Sequence, residues 1–304
     1  MTVKKRKRAG CKSALLSHHK SSPKLASLSA KASRTLIRSH HQLQKRRAQA
    51  IADGNPIAAD TLQAQIEAQG GLKLYQLASI RGQSNERGGD SSKVLVEWLQ
   101  EGLSPLEGNS TDRPPFDRPL LQMLEVGALS AANACSRSRL FNVTRIDLNS
   151  QDDKQILQQD FMQRPLPDSD QERFDIISLS LVLNFLPDNA SRGDMLRRTV
   201  LFLRTLPETL QTMGSYTEFF PSLFLVLPAP CVVNSRYLDE GRLKAIMETL
   251  GYSISRRKMS SKLVYYLWTH TGPRGRYRSK EVYKKVEVNP GKRRNNFSIT
   301  LEWN

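Results

Sequence analysis

The sequence is poor in cysteine and has no long apolar run. Its 304 residues include three cysteines, Cys11, Cys135 and Cys231, which are too few and too dispersed for a disulfide framework or a zinc site. We therefore expect a reducing compartment and no metal. No apolar run approaches the roughly 18 residues of a membrane span, so no membrane partner is expected. The basic N-terminus also lacks the apolar core of a secretory signal.

Acidic residues are missing from positions 1–50, which contain 14 lysines and arginines. Residues 51–255 carry 19 basic against 26 acidic side chains, and residues 256–304 carry 13 against 3. A slightly acidic body between two basic ends predicts nucleic-acid contact by the ends. The alternative for the N-terminal end is a solubilising, disordered tail. The basic cluster Lys4–Arg8 is typical of a nuclear import signal.

Changes in composition divide the chain into four parts. Residues 1–32, rich in Ser, Lys and Ala, predict a disordered basic arm. Residues 33–119 predict a helical N-terminal region that ends in a linker rich in Pro, Gly, Asp and Ser. Residues 120–270 alternate extended and helical patterns, which predicts an α/β domain. Residues 271–304 form a basic C-terminal extension.

The helical region contains recognisable start and stop signals. Asn55 can cap a helix, and Pro56 suits its first position. This helix should stop at Gly70, and a further helix should be capped by Ser91 or Ser92. We expect the first two helices of the region to form a hairpin with a basic outer face.

The α/β domain shows four apolar extended runs, Leu120–Val126, Val143–Asp147, Phe174–Leu179 and Leu223–Leu227. Helical patterns separate them, which predicts a mainly parallel sheet. Tyr252–Met259 and Lys262–His270 are separated by only two serines and predict an antiparallel hairpin at the sheet edge. A parallel sheet with a terminal antiparallel hairpin is typical of class I, Rossmann-like S-adenosylmethionine-dependent methyltransferases.

A glycine and an aspartate end the first two of these runs. Gly127 follows the first run, and Asp147 closes the second, 20 positions later, near the spacing of one strand–helix–strand unit. The glycine lets the backbone approach a ligand, and the carboxylate can accept hydrogen bonds from ribose hydroxyls. The loop lacks the further glycines of a pyrophosphate site, so it favours a ligand without phosphates. The alternatives are an ordinary turn glycine and a solvated strand-end aspartate.

Two further pairs of residues follow predicted strands. Asp160 and Phe161 stand where methyltransferases of this class place an acid toward the adenine amino group and an apolar side chain against the ring. Their alternative is a helix-terminal aspartate and a core phenylalanine. Asn184 and Phe185 follow the third extended run, and they could orient and stack a target base. Their alternative is helix entry and core packing.

Histidine is scarce near these candidates. Of the five histidines, His40 and His41 lie in the first predicted helix, two more precede them, and His270 lies near the end of the sheet. We therefore expect no histidine base in the pocket, which disfavours hydrolase and dehydrogenase chemistry. Methyl transfer to a ring nitrogen with a free lone pair needs no prior deprotonation, so alignment can provide most of the acceleration.

Several phrases of the chain are similar to one family. They are Gly71–Gln83, Glu86–Lys93, Thr144–Asn149, Asp160–Pro167, Phe174–Phe185, Asn234–Tyr237 and Arg294–Phe297. From about Ser33 to the C-terminus, the chain resembles the fungal 25S rRNA adenine-N(1)-methyltransferase family. The resemblance implies a seven-stranded class I fold, an S-adenosylmethionine cofactor contacted by Gly127 and Asp147, and a nuclear, nucleolar enzyme. Its partner would be large-subunit rRNA or a pre-ribosomal particle.

The leading hypothesis is thus an rRNA methyltransferase in which Gly127, Asp147, Asp160 and Phe161 bind the cofactor. A second hypothesis is a sensor that binds S-adenosylmethionine and acts through a protein partner; the basic ends favour the enzyme. A nicotinamide-linked oxidoreductase is disfavoured by the missing glycines and by the scarcity of histidine.

Overall fold

The computed structural model describes residues 30–82, 89–103, 120–150, 152–204, 218–272 and 277–303. Most of the predicted basic arm, the cluster Lys4–Arg8 and most of the predicted linker lie outside the described residues. The first helix begins at Ala30, two residues before the predicted end of the arm at residue 32.

The helices are α1 (Ala30–Ala52), α2 (Pro56–Ala68), α3 (Gly71–Gly82), α4 (Ser92–Leu103), α5 (Ala134–Arg137), α6 (Asn189–Phe202), α7 (Pro230–Val233) and α8 (Glu240–Thr249). The strands are β1 (Leu121–Val126), β2 (Phe141–Asp147), β3 (Leu157–Gln158), β4 (Ile176–Ser180), β5 (Ser222–Pro228), β6 (Tyr252–Met259) and β7 (Leu263–His270).

The strands form one seven-stranded sheet in the order β3-β2-β1-β4-β5-β7-β6. Strands β1 to β5 are parallel, with Val126 opposite both Ile146 and Leu179. Strand β7 pairs antiparallel with both β5 and β6, so β6 lies at the sheet edge. The predicted α/β fold with a terminal antiparallel hairpin is confirmed. Strand β3 was not predicted, because it contains only two residues.

Both faces of the sheet are covered, since alternate side chains of a strand point to opposite faces. One face packs against α6 and α8, in a core cluster that includes Leu124, Ile177, Leu225, Leu196 and Ile246. The opposite face packs against α4, in a second cluster that includes Met123, Ile176, Phe224, Leu95 and Leu99. The continuous apolar runs of the central strands are therefore explained by burial on both sides.

The first two N-terminal helices follow the predicted signals. The Asn55 side chain accepts a hydrogen bond from the Ala58 backbone N–H at 3.0 Å, and Pro56 occupies the first position of α2. Helix α2 ends at Ala68, two residues before the predicted stop at Gly70, and α3, which begins at Gly71, was missed. A small apolar cluster of Leu43, Leu62 and Ile66 holds α1 and α2 together.

The C-terminal segment 277–303 is more than an appended basic extension. Its residues Tyr283, Ile299 and Leu301 are buried in the larger core cluster. The backbone of Thr300 crosses α6 so closely at Gly193 that an added Cβ would overlap the Thr300 carbonyl oxygen. The end of this segment therefore completes the core over α6, which the basic composition did not predict.

No helix in the described ranges is both long enough and apolar enough to cross a membrane. Within the same ranges, no group of three or more His, Cys, Asp or Glu side chains is arranged to hold a metal ion.

The contact at Gly193 predicts a position-specific effect of one methyl group. We expect Gly193→Ala to lower the free energy of unfolding by about 1–3 kcal/mol, because the Cβ must displace the Thr300 backbone. The matched control is Gly241→Ala in α8, where the nearest atom to an added Cβ lies 3.5 Å away. There the better helix propensity of alanine should leave stability unchanged or raise it by up to about 1 kcal/mol. Urea unfolding measures both; equal effects at the two sites would contradict the packing interpretation.

Candidate functional site

The candidate residues lie at one edge of the sheet, where the carboxyl ends of the parallel strands meet. Gly127 directly follows β1, and Asp147 is the last residue of β2. The Gly127 backbone N–H donates to the Ile146 carbonyl oxygen at 2.8 Å. The fold therefore brings the glycine turn and the aspartate together, in the place where ligands bind in open α/β sheets.

Gly127 is required both by its backbone conformation and by a close neighbour. Its φ is +74°, in the left-handed region that favours glycine. A Cβ at this position would lie 2.7 Å from the Cγ2 atom of Val182, which belongs to the loop after β4. Any larger residue would strain the turn and push this loop away.

A polar cavity opens beside the glycine turn. Its empty space, counted together with the adjoining open solvent, is about 420 Å³. Its lining residues are Asp90, Ser91, Ser92, Glu125, Val126, Gly127, Leu129, Ser130, Asn133, Ser178 and Ser180. Two carboxylates and several hydroxyl groups thus face one space, which suits a small ligand with cationic hydrogen-bond donors. Of these residues, the sequence predicted a functional role only for Gly127.

Glu125 is the most informative of the missed residues. Its Oε1 atom accepts a hydrogen bond from the Asn133 side-chain amide at 2.7 Å, whereas Oε2 is buried and accepts none from the described part of the chain. Burial raises the pKa of Glu125 to about 7, against the opposing effects of Asn133 and Arg145. A buried acceptor without a donor points to a ligand that supplies one. The signal in the sequence was a charged residue inside an apolar strand.

Asp90 shares the cavity but has its donors within the chain. Its Oδ1 atom accepts from the Ser92 backbone N–H at 3.0 Å and from the Ser92 hydroxyl at 2.6 Å, and its Oδ2 atom accepts from the Ala134 backbone N–H at 2.5 Å. The Ser91 and Ser180 hydroxyls are 2.7 Å apart. Asp90 therefore joins the starts of α4 and α5, where the sequence predicted only a serine cap.

Asp147 presents a carboxylate beside an exposed apolar side chain. Its Oδ1 atom accepts a hydrogen bond from the Asn149 backbone N–H at 2.8 Å, and its side chain is half-buried. Leu148, the next residue, is 61% exposed. The Asp147 carboxylate, which can accept hydrogen bonds from hydroxyl groups, therefore lies beside Leu148, whose apolar side chain can cover a planar ring. Leu148 was not predicted, although an apolar residue after a strand-end aspartate is a visible signal.

Asp160 and Phe161, the two candidate residues after β3, lie in different environments. The Asp160 carboxylate accepts from the Met162 backbone N–H at 2.8 Å and is half-buried. The Phe161 ring is 2% exposed and packs on Phe202, with ring centroids 5.3 Å apart, beside the Arg198 guanidinium. Phe161 thus occupies the core, as in its alternative interpretation. Its contact with adenine stays a prediction, and so does that of Asp160.

The loop after β4 has an unusual backbone and an unpaired polar atom. Leu181 has a φ of +59°, a conformation that non-glycine residues rarely adopt and that often marks functional sites. The turn Leu183–Phe185 follows, and the Oδ1 atom of Asn184 is buried with no hydrogen-bond partner among the described residues. This loop therefore also carries an acceptor that a ligand can satisfy.

Two histidines of α1 lie near this loop. The His41 ring stacks on Phe185, with centroids 4.4 Å apart and an interplanar angle of 21°. Tyr75 of α3 contacts the edge of Phe185 at 5.3 Å and stacks on His40 at 4.6 Å. The described lining of the cavity beside Gly127 contains no histidine, and the expectation that the pocket has no histidine base stays a prediction. Nothing local in the sequence brings α1 against the loop after β4.

Comparison with known proteins gives a consistent result. Over residues 60–299 the chain matches the family described as 25S rRNA (adenine(2142)-N(1))-methyltransferase, Bmt2. It is 38% identical over 239 residues to the 25S rRNA (adenine(2142)-N(1))-methyltransferase of Saccharomyces cerevisiae, covering 78% of this chain and 62% of that protein. It is also 38% identical over 267 residues to the 25S rRNA adenine-N(1) methyltransferase of Schizosaccharomyces pombe, covering 87% of this chain and 89% of that protein.

Solved structures show more distant likenesses. The N-methyltransferase NodS of Bradyrhizobium japonicum, in complex with S-adenosyl-L-homocysteine, aligns with a TM-score of 0.38 and 13% identity over 59% of this chain and 87% of that chain. An O-methyltransferase family protein of Burkholderia thailandensis aligns with a TM-score of 0.41 and 9% identity, covering 78% of this chain and 71% of that chain.

The raised pKa of Glu125 predicts a pH effect on stability in the absence of ligand. Between its ordinary value of 4.5 and about 7, the folded state keeps a proton that the unfolded chain has lost. The free energy of unfolding should therefore fall as pH rises through this range, by up to roughly 3 kcal/mol, since one pKa unit corresponds to about 1.4 kcal/mol. Glu125→Gln cannot ionise and should remove this decrease. Urea unfolding between pH 4.5 and 8 measures it, with the exposed Glu67→Gln as control; parallel profiles for Glu125→Gln and the unmodified protein would refute the assignment.

Proposed function

Because the chain belongs to the family of 25S rRNA (adenine(2142)-N(1))-methyltransferases, we propose that it transfers a methyl group from S-adenosylmethionine to N1 of an adenine in large-subunit rRNA. The observation that carries this proposal is the pair of unpaired, buried acceptors, Glu125 Oε2 beside the glycine turn and Asn184 Oδ1 in the loop after β4. Glu125 Oε2 would accept a hydrogen bond from the cofactor, and Asn184 Oδ1 would accept one from the base. The place of action would be the nucleus and its nucleolus.

The residues at the sheet edge fit the parts of S-adenosylmethionine. The cavity beside Gly127 would hold the methionine part, whose ammonium group can donate to Glu125 Oε2, while the acidic lining offsets the cationic charge. The single glycine is sufficient because the molecule has no phosphates. Asp147 would accept from the ribose hydroxyls, and Leu148 would cover one face of the adenine ring. Asp160 would face the amino group of that adenine, with Phe161 supporting this segment from the core.

The transfer needs positioning more than proton movement. When bound, S-adenosylmethionine would supply a sulfonium methyl group. The lone pair of adenine N1 can form the N–C bond without prior deprotonation while the C–S bond breaks and S-adenosylhomocysteine leaves. Asn184 Oδ1 would accept a hydrogen bond from the amino group next to N1, and Phe185 would stack on the base. A base held in this way points its N1 atom at the cofactor, and alignment of this kind can account for much of the rate.

Basic side chains on the surface provide contacts for the rRNA backbone. Helix α1 carries exposed Lys45 and Arg46 next to the helix turn that contains His41. In the C-terminal segment 277–303, Lys285 is exposed and its ammonium group lies 4.6 Å from the centre of the Tyr237 ring. Lysine and arginine contacts to phosphates give salt-sensitive affinity without base specificity.

Two variants separate the cofactor site from the base site. Asp147→Ala should weaken S-adenosylmethionine binding about tenfold or more and abolish methylation, because a charge-assisted hydrogen bond is worth about 1.5–3 kcal/mol. Asn184→Ala should leave cofactor binding unchanged and slow methylation about tenfold or more, since only the base is misplaced. Asp153→Ala, which removes an exposed aspartate six residues after Asp147, is the control and should change neither property.

Calorimetry measures the binding of S-adenosylmethionine. Transfer of labelled methyl groups to rRNA that lacks the modification measures methylation. The methylated position can be mapped because a methyl group on N1 blocks the Watson–Crick edge and stops reverse transcription. Full activity of Asp147→Ala would refute the cofactor site. Cofactor binding without transfer to any rRNA would refute the enzyme and favour the sensor.

A further inference from the structure

We propose that His41 is a positioning residue for methyl transfer, because its ring stacks on Phe185 and thereby fixes the loop that presents Asn184 to the target base. The N-terminal helices would then form part of the active site rather than a separate RNA-binding attachment. This inference rests on the proposed function, because it assigns the base-binding role to the same loop.

The contacts form an aromatic cluster of His40, His41, Tyr75 and Phe185. His41 lies nearly parallel to Phe185 at 4.4 Å, and Tyr75 contacts His41 and Phe185 edge-on at 5.6 and 5.3 Å. These distances and angles are those of favourable aromatic pairs. Phe185 is only half-buried, so one face can be covered by His41 while the opposite face remains for a stacked base.

The same loop is held at two other points by groups outside the aromatic cluster. Val182 packs against the backbone of Gly127, on the cofactor side. The Arg192 guanidinium donates to the Leu186 carbonyl oxygen at 2.6 Å and to the Ser298 carbonyl oxygen at 2.9 Å. Asn184 lies between these two points, immediately before Phe185. The contact of Phe185 with α1 and α3 is therefore placed to fix the part of the loop that meets the base.

The chemical state of His41 agrees with a packing role. Burial, together with the nearby His40 and Arg192, lowers the pKa of His41 to about 4, so the ring is uncharged at neutral pH. A neutral imidazole can stack on a phenyl ring without the desolvation penalty of a buried cation. Transfer to adenine N1 needs no base, so the imidazole need not exchange a proton.

A double-mutant cycle tests whether His41 acts through Phe185. We expect His41→Ala and Phe185→Ala each to lower kcat for rRNA methylation about tenfold or more, with S-adenosylmethionine affinity unchanged. The double variant should lose no more than Phe185→Ala alone, because both changes remove the same contact. His41→Phe retains a stacking ring and should recover most of the rate, whereas His41→Gln should not.

His40→Ala is the matched control, since it removes a neighbouring imidazole that stacks on Tyr75, whereas the ring pairs of Phe185 in the described part of the chain are with His41 and Tyr75. It should reduce kcat less than His41→Ala does. Thermal unfolding checks that each variant is folded. If His41→Ala does not fold, the rates of His41→Phe and His41→Gln are compared instead, and the inference requires His41→Phe to be the faster of the two. Equal rates for these two variants, or losses that multiply in the double variant, would overturn the inference. An unmodified protein that methylates no rRNA would instead refute the proposed function.

Discussion

The close approach of Val182 to Gly127 is the constraint on which the arrangement of the site depends. The Val182 side chain of the loop after β4 can approach the turn after β1 because Gly127 has no Cβ, and glycine also permits the left-handed backbone of that turn. The loop then continues through Asn184 to Phe185, which contacts the N-terminal helices. One short segment therefore connects the cavity beside Gly127, the acceptor proposed for the base and the helical region. A shift of the loop by the width of one methyl group would therefore change the cavity, the position of Asn184 and the contact with the helices together.

The two carboxylates in the cavity have different roles because their donors are distributed unequally. Asp90 accepts three hydrogen bonds from Ser92 and Ala134, which makes it a structural link between two helix starts. Glu125 accepts one from Asn133 and keeps a second buried oxygen without a donor. Burial without enough donors disfavours the charged form, and the nearby Asp90 adds to this effect. A cationic ligand that donates a hydrogen bond to Oε2 would stabilise the charged form and so offset both effects.

Most of the sheet could be predicted from the sequence because its signals are local. Apolar runs, helical periods and a two-serine connection indicate β1, β2, β4, β5 and the terminal hairpin, and the same local logic placed Gly127 and Asp147 at strand ends. Strand β3 and the C-terminal closure at Gly193 were missed, because a two-residue strand has no period and basic composition does not reveal buried Ile299. His41 and Asp90 were missed for another reason. Their neighbours in space, Phe185 and Ala134, are far away in the sequence, and only the assembled fold brings them together.

The way the C-terminal segment closes the core bears on how the chain is made. Ile299 and Leu301 belong to the same buried cluster as Leu124 of the first strand, so nearly 180 residues separate the first and last contributors to one core. While the segment is still inside the ribosomal exit tunnel, α6 lacks the cover that it has in the finished fold. Folding of this domain is therefore completed only after synthesis has passed residue 301.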